Sequence, residues 1–231
     1  MGLIERFFLN RYNASEFIIQ KKAQALMYYS IIITLLMFLL TLAFVFIAPD
    51  ILLQAGVVII VVFFSAIITL FVLRMGRYYV AANFITAIVS LAVTAGLLVK
   101  IVRDVHTGYT TYIYFMGALI VQSILFCKKS FVVGLSAFFL SADIFFFIMA
   151  RPRLEGLHLQ AARVGFIDSS FMIVFILIVG LALMKITSQS IDRAETVSNE
   201  NQKNFERVQG LLGSLKEVSD NLVTSSEVLS A

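Results

Sequence analysis

The sequence predicts an all-α membrane protein, a six-helix transmembrane bundle whose last helix continues into a cytoplasmic coiled-coil stalk. First, 60% of the 231 residues are hydrophobic, with 22 Phe and no Trp, whereas apolar residues make up about half of an ordinary soluble domain. Second, the apolar stretches have lengths close to the roughly 20 residues that cross a bilayer. Third, the last apolar stretch, FMIVFILIVGLALM, leads into a heptad-patterned segment without an intervening proline, so nothing forces the helix to stop.

The chain is predicted to have three parts. Residues 1–25 form a cytoplasmic interfacial segment, in which basic residues alternate with apolar pairs. No signal-peptide cleavage site follows the first long apolar run, so this run is expected to remain as an uncleaved anchor. Residues 26–187 form the transmembrane sensor bundle, and residues 188–231 form the coiled-coil stalk. Because the sequence ends in mid-heptad at Ala231, we expect the output region to be truncated.

Six apolar stretches are predicted to span the membrane. The first five cover residues 26–48, 51–73, 80–99, 112–127 and 131–150, the fourth being short. The sixth begins somewhere between Val164 and Phe171. Six is the most economical count, because an even number of spans leaves both ends of the chain on the same side.

The positions of Lys and Arg predict the orientation, since cytoplasmic segments carry an excess of them. With the N-terminus inside, the cytoplasmic segments hold Arg6, Arg11, Lys21, Lys22, Arg74, Arg77, Lys128, Lys129, Lys185, Arg193, Lys203, Arg207 and Lys216. The chain is therefore predicted to be a multi-pass protein of the cell inner membrane with both termini cytoplasmic. The lipid bilayer is its partner, and the net charge of +4 forms no basic patch of the kind that binds nucleic acid.

The segment after the last span carries the spacing of a left-handed coiled coil. The a positions are Ala194, Asn201, Val208, Leu215, Leu222 and Leu229, and the d positions are Val197, Asn204, Leu211, Val218 and Ser225. A homodimer is expected, because this seam needs a second helix to cover it. The alternative is a single amphipathic helix on the lipid surface or against its own domain, but the polar face mixes both charge signs where anionic lipid would select Lys and Arg.

The stalk is predicted to be only marginally stable. Gly210 and Gly213 each weaken a helix by up to about 1 kcal/mol relative to Ala. Asn201 and Asn204 occupy consecutive core positions, where Asn specifies register at a cost in stability.

The last part of the chain, ENQKNFERVQGLLGSLKEVSDNLVTSSEVLSA, resembles the segment that follows the last span in bacterial methyl-accepting chemotaxis proteins. The resemblance implies a sensor and stalk that pass a signal through helix six. A chemotaxis kinase and coupling protein would be partners only if a downstream signalling domain exists.

Asp143 is the only formal charge well inside a predicted span. Such residues face a bundle interior, pair with another group, or mark a functional pathway. Two readings stay open: a ligand site reached from an outward-open cavity, or a protonated carboxyl hydrogen-bonded to a neighbouring helix. The partners considered are Gln122 and the polar stripe of helix three, which consists of Asn83, Thr86, Ser90 and Thr94. That stripe favours close helix packing over binding, because Ala92 and Gly96 add a small-residue pair.

Two predicted outer loops contain the remaining candidate ligand-binding residues. These are Arg103 and His106 in the first loop and Arg151, Arg153 and His158 in the second. Basic residues on the outer side oppose the usual charge bias, so they are candidates for binding an anion. The simpler reading is that they are solvated loop ends.

No catalytic pattern is found, so the chain is not predicted to be an enzyme, and no metal or cofactor is expected. Ser136 lies in half of a serine-nucleophile motif, but no His lies within a span to act as its base. The single Cys127, beside Lys128 and Lys129, is predicted to be a membrane-surface thiol.

The function predicted from these features is that of a membrane-embedded sensory transducer. One alternative is a small six-helix transporter or channel, with Asp143 and Gln122 lining its route. Another is the membrane anchor of a cyclase or histidine kinase whose output domain is missing.

Overall fold

A computed structural model describes residues 3–12, 17–47, 49–103, 105 and 108–229, and these residues contain no β-strand. The α-helices are α1 (Leu3–Leu9), α2 (Phe17–Ile47), α3 (Pro49–Arg74), α4 (Tyr78–Arg103), α5 (Gly108–Phe126), α6 (Lys129–Ala150) and α7 (Gly156–Leu229). Short 3-10 helices follow α1 at Asn10–Tyr12 and α6 at Arg151–Arg153. The prediction of an all-α protein is confirmed for the described residues.

Five described helical segments are long and apolar enough to cross a membrane. They are Phe17–Ile47, Gly56–Arg74, Tyr78–Ile101, Lys129–Arg153 and Gly156–Gly213, and Tyr112–Phe126 is a shorter apolar helix. The shorter segment is the span that the sequence predicts to be short. The chain therefore has the helices of a multi-pass membrane protein.

Two boundaries differ from those predicted. The first is that α2 begins at Phe17, so the predicted interfacial segment 1–25 includes the first turns of α2. The second is that α7 begins at Gly156, before the predicted start of the sixth span between Val164 and Phe171, so the part of the second predicted outer loop that holds His158 is helical. Gly156 has a φ of +54°, which glycine adopts without a steric penalty, and good helix formers such as Leu157, Gln160 and Ala161 follow it.

The chain divides into a membrane unit, Met1–Ala182, and a C-terminal unit, Leu183–Ala231. The core of the membrane unit lies between α4, α5, α6 and the first part of α7. Its fully buried side chains include Met116, Ile120, Phe139, Phe146 and Ile173. Large apolar side chains elsewhere on these helices are exposed, as expected where lipid is the solvent.

Glycines bring α7 close to α5 in the membrane unit. Gly165 lies against the ring of Tyr109, Gly117 against Met172, and Gly180 against Ile124. Small residues at such contacts let helix backbones approach closely, which favours association between helices in lipid.

One end of the membrane unit, which we call the basic end, gathers α1, the α3–α4 turn and the α5–α6 turn. The Arg11 guanidinium donates a hydrogen bond to the Met75 carbonyl at 3.5 Å, and the Tyr78 hydroxyl donates to the Phe126 carbonyl at 2.7 Å. The Lys128 ammonium lies 4.4 Å from the centre of the Tyr79 ring. These contacts bring together segments that the charge bias assigns to one side of the membrane.

In the C-terminal unit, the described seam positions are exposed. Exposure ranges from 52% at Val208 to 65% at Leu211 and Leu215. Phe205 and Leu212, both at e positions, are also exposed, at 59% and 60%, and they widen the apolar stripe beyond the predicted a and d seam. The side chains of Val218, Leu222 and Leu229 lie outside the described residues.

Gly165→Ala should destabilise the membrane unit, because a Cβ at Gly165 would lie 2.8 Å from both Cβ and Cγ of Tyr109. Overpacking of this kind costs about 1–3 kcal/mol. The measurement is the free energy of unfolding in micelles, followed by circular dichroism during SDS titration. Gly134→Ala is the matched control, since a Cβ there meets no atom within 4 Å. Equal stability of the two variants would contradict the close α5–α7 contact.

Candidate functional site

A cavity of about 480 Å³ lies at the end of the membrane unit opposite the basic end. We call it the α5–α7 cavity. Most of its lining residues belong to α7, and the complete lining is Val105, Tyr109, Leu154, Leu157, His158, Gln160, Ala161, Ala162, Val164, Gly165 and Asp168. The walls are mainly apolar, but they include three polar side chains of α7, those of His158, Gln160 and Asp168. Such a mixture of apolar walls and a few polar groups is typical of small-molecule sites.

Asp143 of α6 is buried, with 2% of its surface exposed. Its Oδ2 accepts hydrogen bonds from Ser169 Oγ at 2.5 Å and from Ser170 Oγ at 3.2 Å. Asp143 therefore faces α7 inside the protein, and its carboxyl group is bonded as the cost of burying a charge requires. The suggested partners Gln122 and the α4 polar stripe are wrong, because the face of α6 that carries Asp143 packs on α7.

Tyr109 links this hydrogen-bonded group to the cavity. Its ring lines the cavity and packs edge-on against Phe146, with 5.2 Å between ring centres. It is also near enough to Asp143 for an electrostatic interaction. The Tyr109 hydroxyl is buried without a hydrogen-bond partner among the described residues, whereas buried polar groups normally have one.

Sequence reasoning missed Tyr109, Ser169 and Ser170. A signal was present for the serines, because Asp168, Ser169 and Ser170 form the only polar run in an otherwise apolar stretch that begins at Val164 and continues to Met184. No comparable signal marks Tyr109. Its role depends on how α5 is rotated against α6 and α7.

Gln122 belongs to a separate buried cluster. The Tyr29 hydroxyl donates to Gln122 Oε1 at 2.7 Å, and Gln122 Nε2 donates to Thr86 Oγ1 at 3.3 Å. These bonds join α2, α4 and α5. The described contacts therefore give Gln122 a packing role and do not bring it to Asp143.

Cys127 is buried, with 2% of its surface exposed and its Sγ 3.6 Å from Thr86 Oγ1. The prediction of a membrane-surface thiol is therefore wrong. The flanking lysines reach solvent through their own long side chains while the thiol packs beneath them.

The predicted basic candidates do not share one position. Arg153 Nη1 donates to the Ile101 carbonyl at 2.6 Å, so this side chain ties the α6–α7 connection to the end of α4. Arg151 is exposed, and His158 lines the α5–α7 cavity. The side chain of Arg103 and all of His106 lie outside the described residues. Anion binding by this set stays a prediction.

Among the described residues, no group of three or more His, Cys, Asp or Glu side chains is arranged to hold a metal ion. The cavity can instead offer hydrogen bonds from the polar side chains of α7 that line it, which are His158, Gln160 and Asp168. The chemistry available at this site is non-covalent binding of a small molecule with at least one hydrogen-bonding group.

No protein-family model, curated protein or solved structure matches this chain. The class defined by the fold is that of a multi-pass, all-α membrane protein. Its function is inferred below from the geometry of α7 and from the sequence resemblance of the stalk.

The bond between Asp143 and Ser169 should appear as a coupling energy in a double-mutant cycle of Asp143→Ala and Ser169→Ala. Interhelical hydrogen bonds in membrane proteins contribute about 0.6–2 kcal/mol, so a value in that range is expected from unfolding in micelles. The control cycle pairs Asp143→Ala with Ser141→Ala, because Ser141 Oγ donates to the Ala137 carbonyl of its own helix. A coupling no larger than in the control cycle would rule out the bond.

Proposed function

We propose that the chain is a membrane-embedded, chemoreceptor-like sensory transducer. In this proposal α7 passes a signal from the transmembrane bundle to a dimeric cytoplasmic coiled coil. The observation that carries it is that α7 is one helix from Gly156 to Leu229, which lines the cavity with its first turns and carries the heptad stripe near its end. A ligand in the cavity therefore contacts the same helix that presents the dimerisation surface.

The input is assigned to the α5–α7 cavity and the Asp143 group beneath it. A ligand that packs against the Tyr109 ring would act on a residue that already interacts with Asp143, whose carboxyl group accepts from two serines of α7. A change in these bonds changes how α7 is held against α6. Allosteric coupling needs a difference of about 1–3 kcal/mol between two arrangements, which is the size of one or two such hydrogen bonds.

The output is assigned to the apolar stripe of the C-terminal unit, paired with a second copy of the chain. Exposure of Val208, Leu211 and Leu215 supports a surface that a partner helix covers. Phe205 and Leu212 add a third apolar position per heptad, and a stripe of that width is typical of helices that face more than one neighbour in a bundle. Two copies would therefore pair through this stripe with room for further helices.

The orientation is proposed from charge. The basic end gathers Arg11, Arg74, Lys128 and their neighbours, and positive charge favours the cytoplasmic side. Both termini would then be cytoplasmic, with the protein in the inner membrane and the α5–α7 cavity on the outer side.

A transporter route through Asp143 and Gln122 receives no support from these contacts, because the two residues belong to separate buried clusters. A cyclase or histidine kinase output would use α7 in the same way. The chemoreceptor-like output is proposed from the resemblance of residues 200–231 alone.

Orientation can be tested with single cysteines at Glu155 and Asn201 in a Cys127→Ser background. We expect an impermeant maleimide to label the Glu155 position in intact cells and the Asn201 position only after the membrane is opened. The reason is the bias of basic residues toward the cytoplasmic side. Labelling of both positions from the same side would show that the topology is wrong.

Transduction can be tested by disulfide crosslinking in membranes, with Leu215→Cys compared with Lys216→Cys. We expect faster crosslinking at Leu215, because an a position faces the partner helix. Val164→Trp fills the α5–α7 cavity and should change the Leu215 rate by at least about fivefold, the lower bound for allosteric coupling.

The matched control is Ile167→Trp, since Ile167 is an exposed α7 residue that does not line the cavity. Equal crosslinking rates at Leu215 and Lys216 would show that the stalk helices are not paired through the predicted seam. If Val164→Trp and Ile167→Trp gave the same rate, the cavity would not be the input.

A further inference from the structure

A second cavity, of about 540 Å³, lies between α4 and α6 and opens near the basic end. We call it the α4–α6 groove. Lys128, Ser130 and Asn83 line it near the helix ends, and Ser90, Gly134 and Phe138 line it farther along. Phe131 and Phe138 of α6 both line the groove. They are seven residues apart, so at 1.5 Å per residue the groove extends about 10 Å along α6 into the membrane unit.

Two buried polar atoms in this groove have no hydrogen-bond partner among the described residues. The Ser90 hydroxyl belongs to a side chain with 1% exposure, and Asn83 Oδ1 is buried on the same face of α4. Serines in membrane helices commonly donate to a carbonyl four residues earlier, as Ser30 does to Leu26 at 2.8 Å. Ser90 does not make such a bond, so its hydroxyl is available to a ligand in the groove.

The mouth of the groove favours an anion. Lys128 contributes a cation, and it is the N-cap residue of α6 with no side-chain capping bond. The Phe131 amide donates to the Lys128 carbonyl at 3.0 Å, whereas the first two amides of α6, those of Lys129 and Ser130, have no carbonyl within the helix to bond. The positive end of the helix dipole lies at the same place. No Asp or Glu lines this groove.

The deeper half of the groove favours a hydrocarbon chain. A Cβ built at Gly134 meets no atom within 4 Å, so the backbone of α6 leaves open space there. Leu91 is 54% exposed and Phe138 is 37% exposed, and both line the groove. A ligand that satisfies both halves is an amphiphile with an anionic head and an apolar tail.

We propose that the α4–α6 groove binds one phospholipid with an anionic headgroup. Its phosphate lies at Lys128 and the N-terminus of α6, and a hydroxyl of its headgroup donates to Asn83 Oδ1. The Ser90 hydroxyl donates to an ester carbonyl, and an acyl chain lies along Gly134 and Phe138. This site is separate from the α5–α7 cavity, so the proposal of a lipid site does not depend on the proposed transducer function.

The test is a titration of the purified full-length chain, in a zwitterionic detergent, with fluorescently labelled phosphatidylglycerol. Labelled phosphatidylcholine and unlabelled inorganic phosphate are the comparison probes. Lys128→Gln should weaken phosphatidylglycerol binding about fivefold, the effect of one cation at a membrane surface. Lys129→Gln is the matched control and should leave binding unchanged, because Lys129 does not line the groove.

Gly134→Leu gives a second, independent readout. It fills the space of the acyl chain and should weaken binding at least about tenfold, since each buried CH₂ contributes appreciably to affinity. The same variant should not lower thermal stability, because the new side chain enters open space and Leu is a better helix former than Gly.

The proposal is overturned if phosphatidylcholine binds as tightly as phosphatidylglycerol, because the headgroup would then not be recognised. It is also overturned if inorganic phosphate displaces the label completely, which would indicate a site for a soluble anion. Equal losses of phosphatidylglycerol affinity in Lys128→Gln and Lys129→Gln would indicate that diffuse surface charge, and not this groove, attracts the lipid. Unchanged binding by a folded Gly134→Leu variant would show that no acyl chain lies at Gly134.

Discussion

The need to bond every polar group inside a lipid environment determines the rest of this structure. Water cannot satisfy backbone groups in the hydrocarbon core, so the spanning segments must be helices, whose amides and carbonyls bond within the segment. The same constraint acts on side chains, although a few buried ones, such as Ser90 and Tyr109, have no partner among the described residues. Ser30, Thr69 and Ser141 donate to carbonyls of their own helices, whereas Asp143 needs donors from elsewhere and finds them on α7. That interaction fixes which face of α6 meets α7, and with it the position of the α5–α7 cavity.

The placement of Asp143 also determines how α7 is held in the membrane unit. The contacts of α7 with the bundle are of two kinds: close glycine contacts that depend on shape, and serine hydrogen bonds that depend on one carboxyl group. Shape contacts at Gly165 and Gly180 resist a change in helix separation. Hydrogen bonds from Ser169 and Ser170 can be exchanged for bonds to water or ligand at small net cost. The two kinds of contact on α7 therefore differ in what would break them.

Hydrophobicity predicted the helices well because each segment that crosses the lipid must be apolar by itself, whatever its neighbours are. The ends of α3, α4, α5 and α6 lie within a few residues of the predicted ones for this reason. Partners across helices could not be predicted, since Asp143 and Ser169 are 26 positions apart and their meeting depends on helix rotation. The start of α7 was missed because its first turns are only partly apolar. The burial of Cys127 could not be predicted from the lysines beside it, because it depends on the packing of the thiol against Thr86 of α4.

The α4–α6 groove and the hydrogen bonds of Asp143 share one helix, α6, although no residue of α6 lines the α5–α7 cavity. Lys128 and Ser130 at the start of α6 line the α4–α6 groove, and Asp143, near the other end of α6, is bonded to α7. Side chains at both ends of α6 thus take part in contacts with a neighbouring helix, and Phe139 between them is fully buried. Packed interiors have low compressibility, so a lipid bound at the proposed groove site would act on the same helix that carries Asp143.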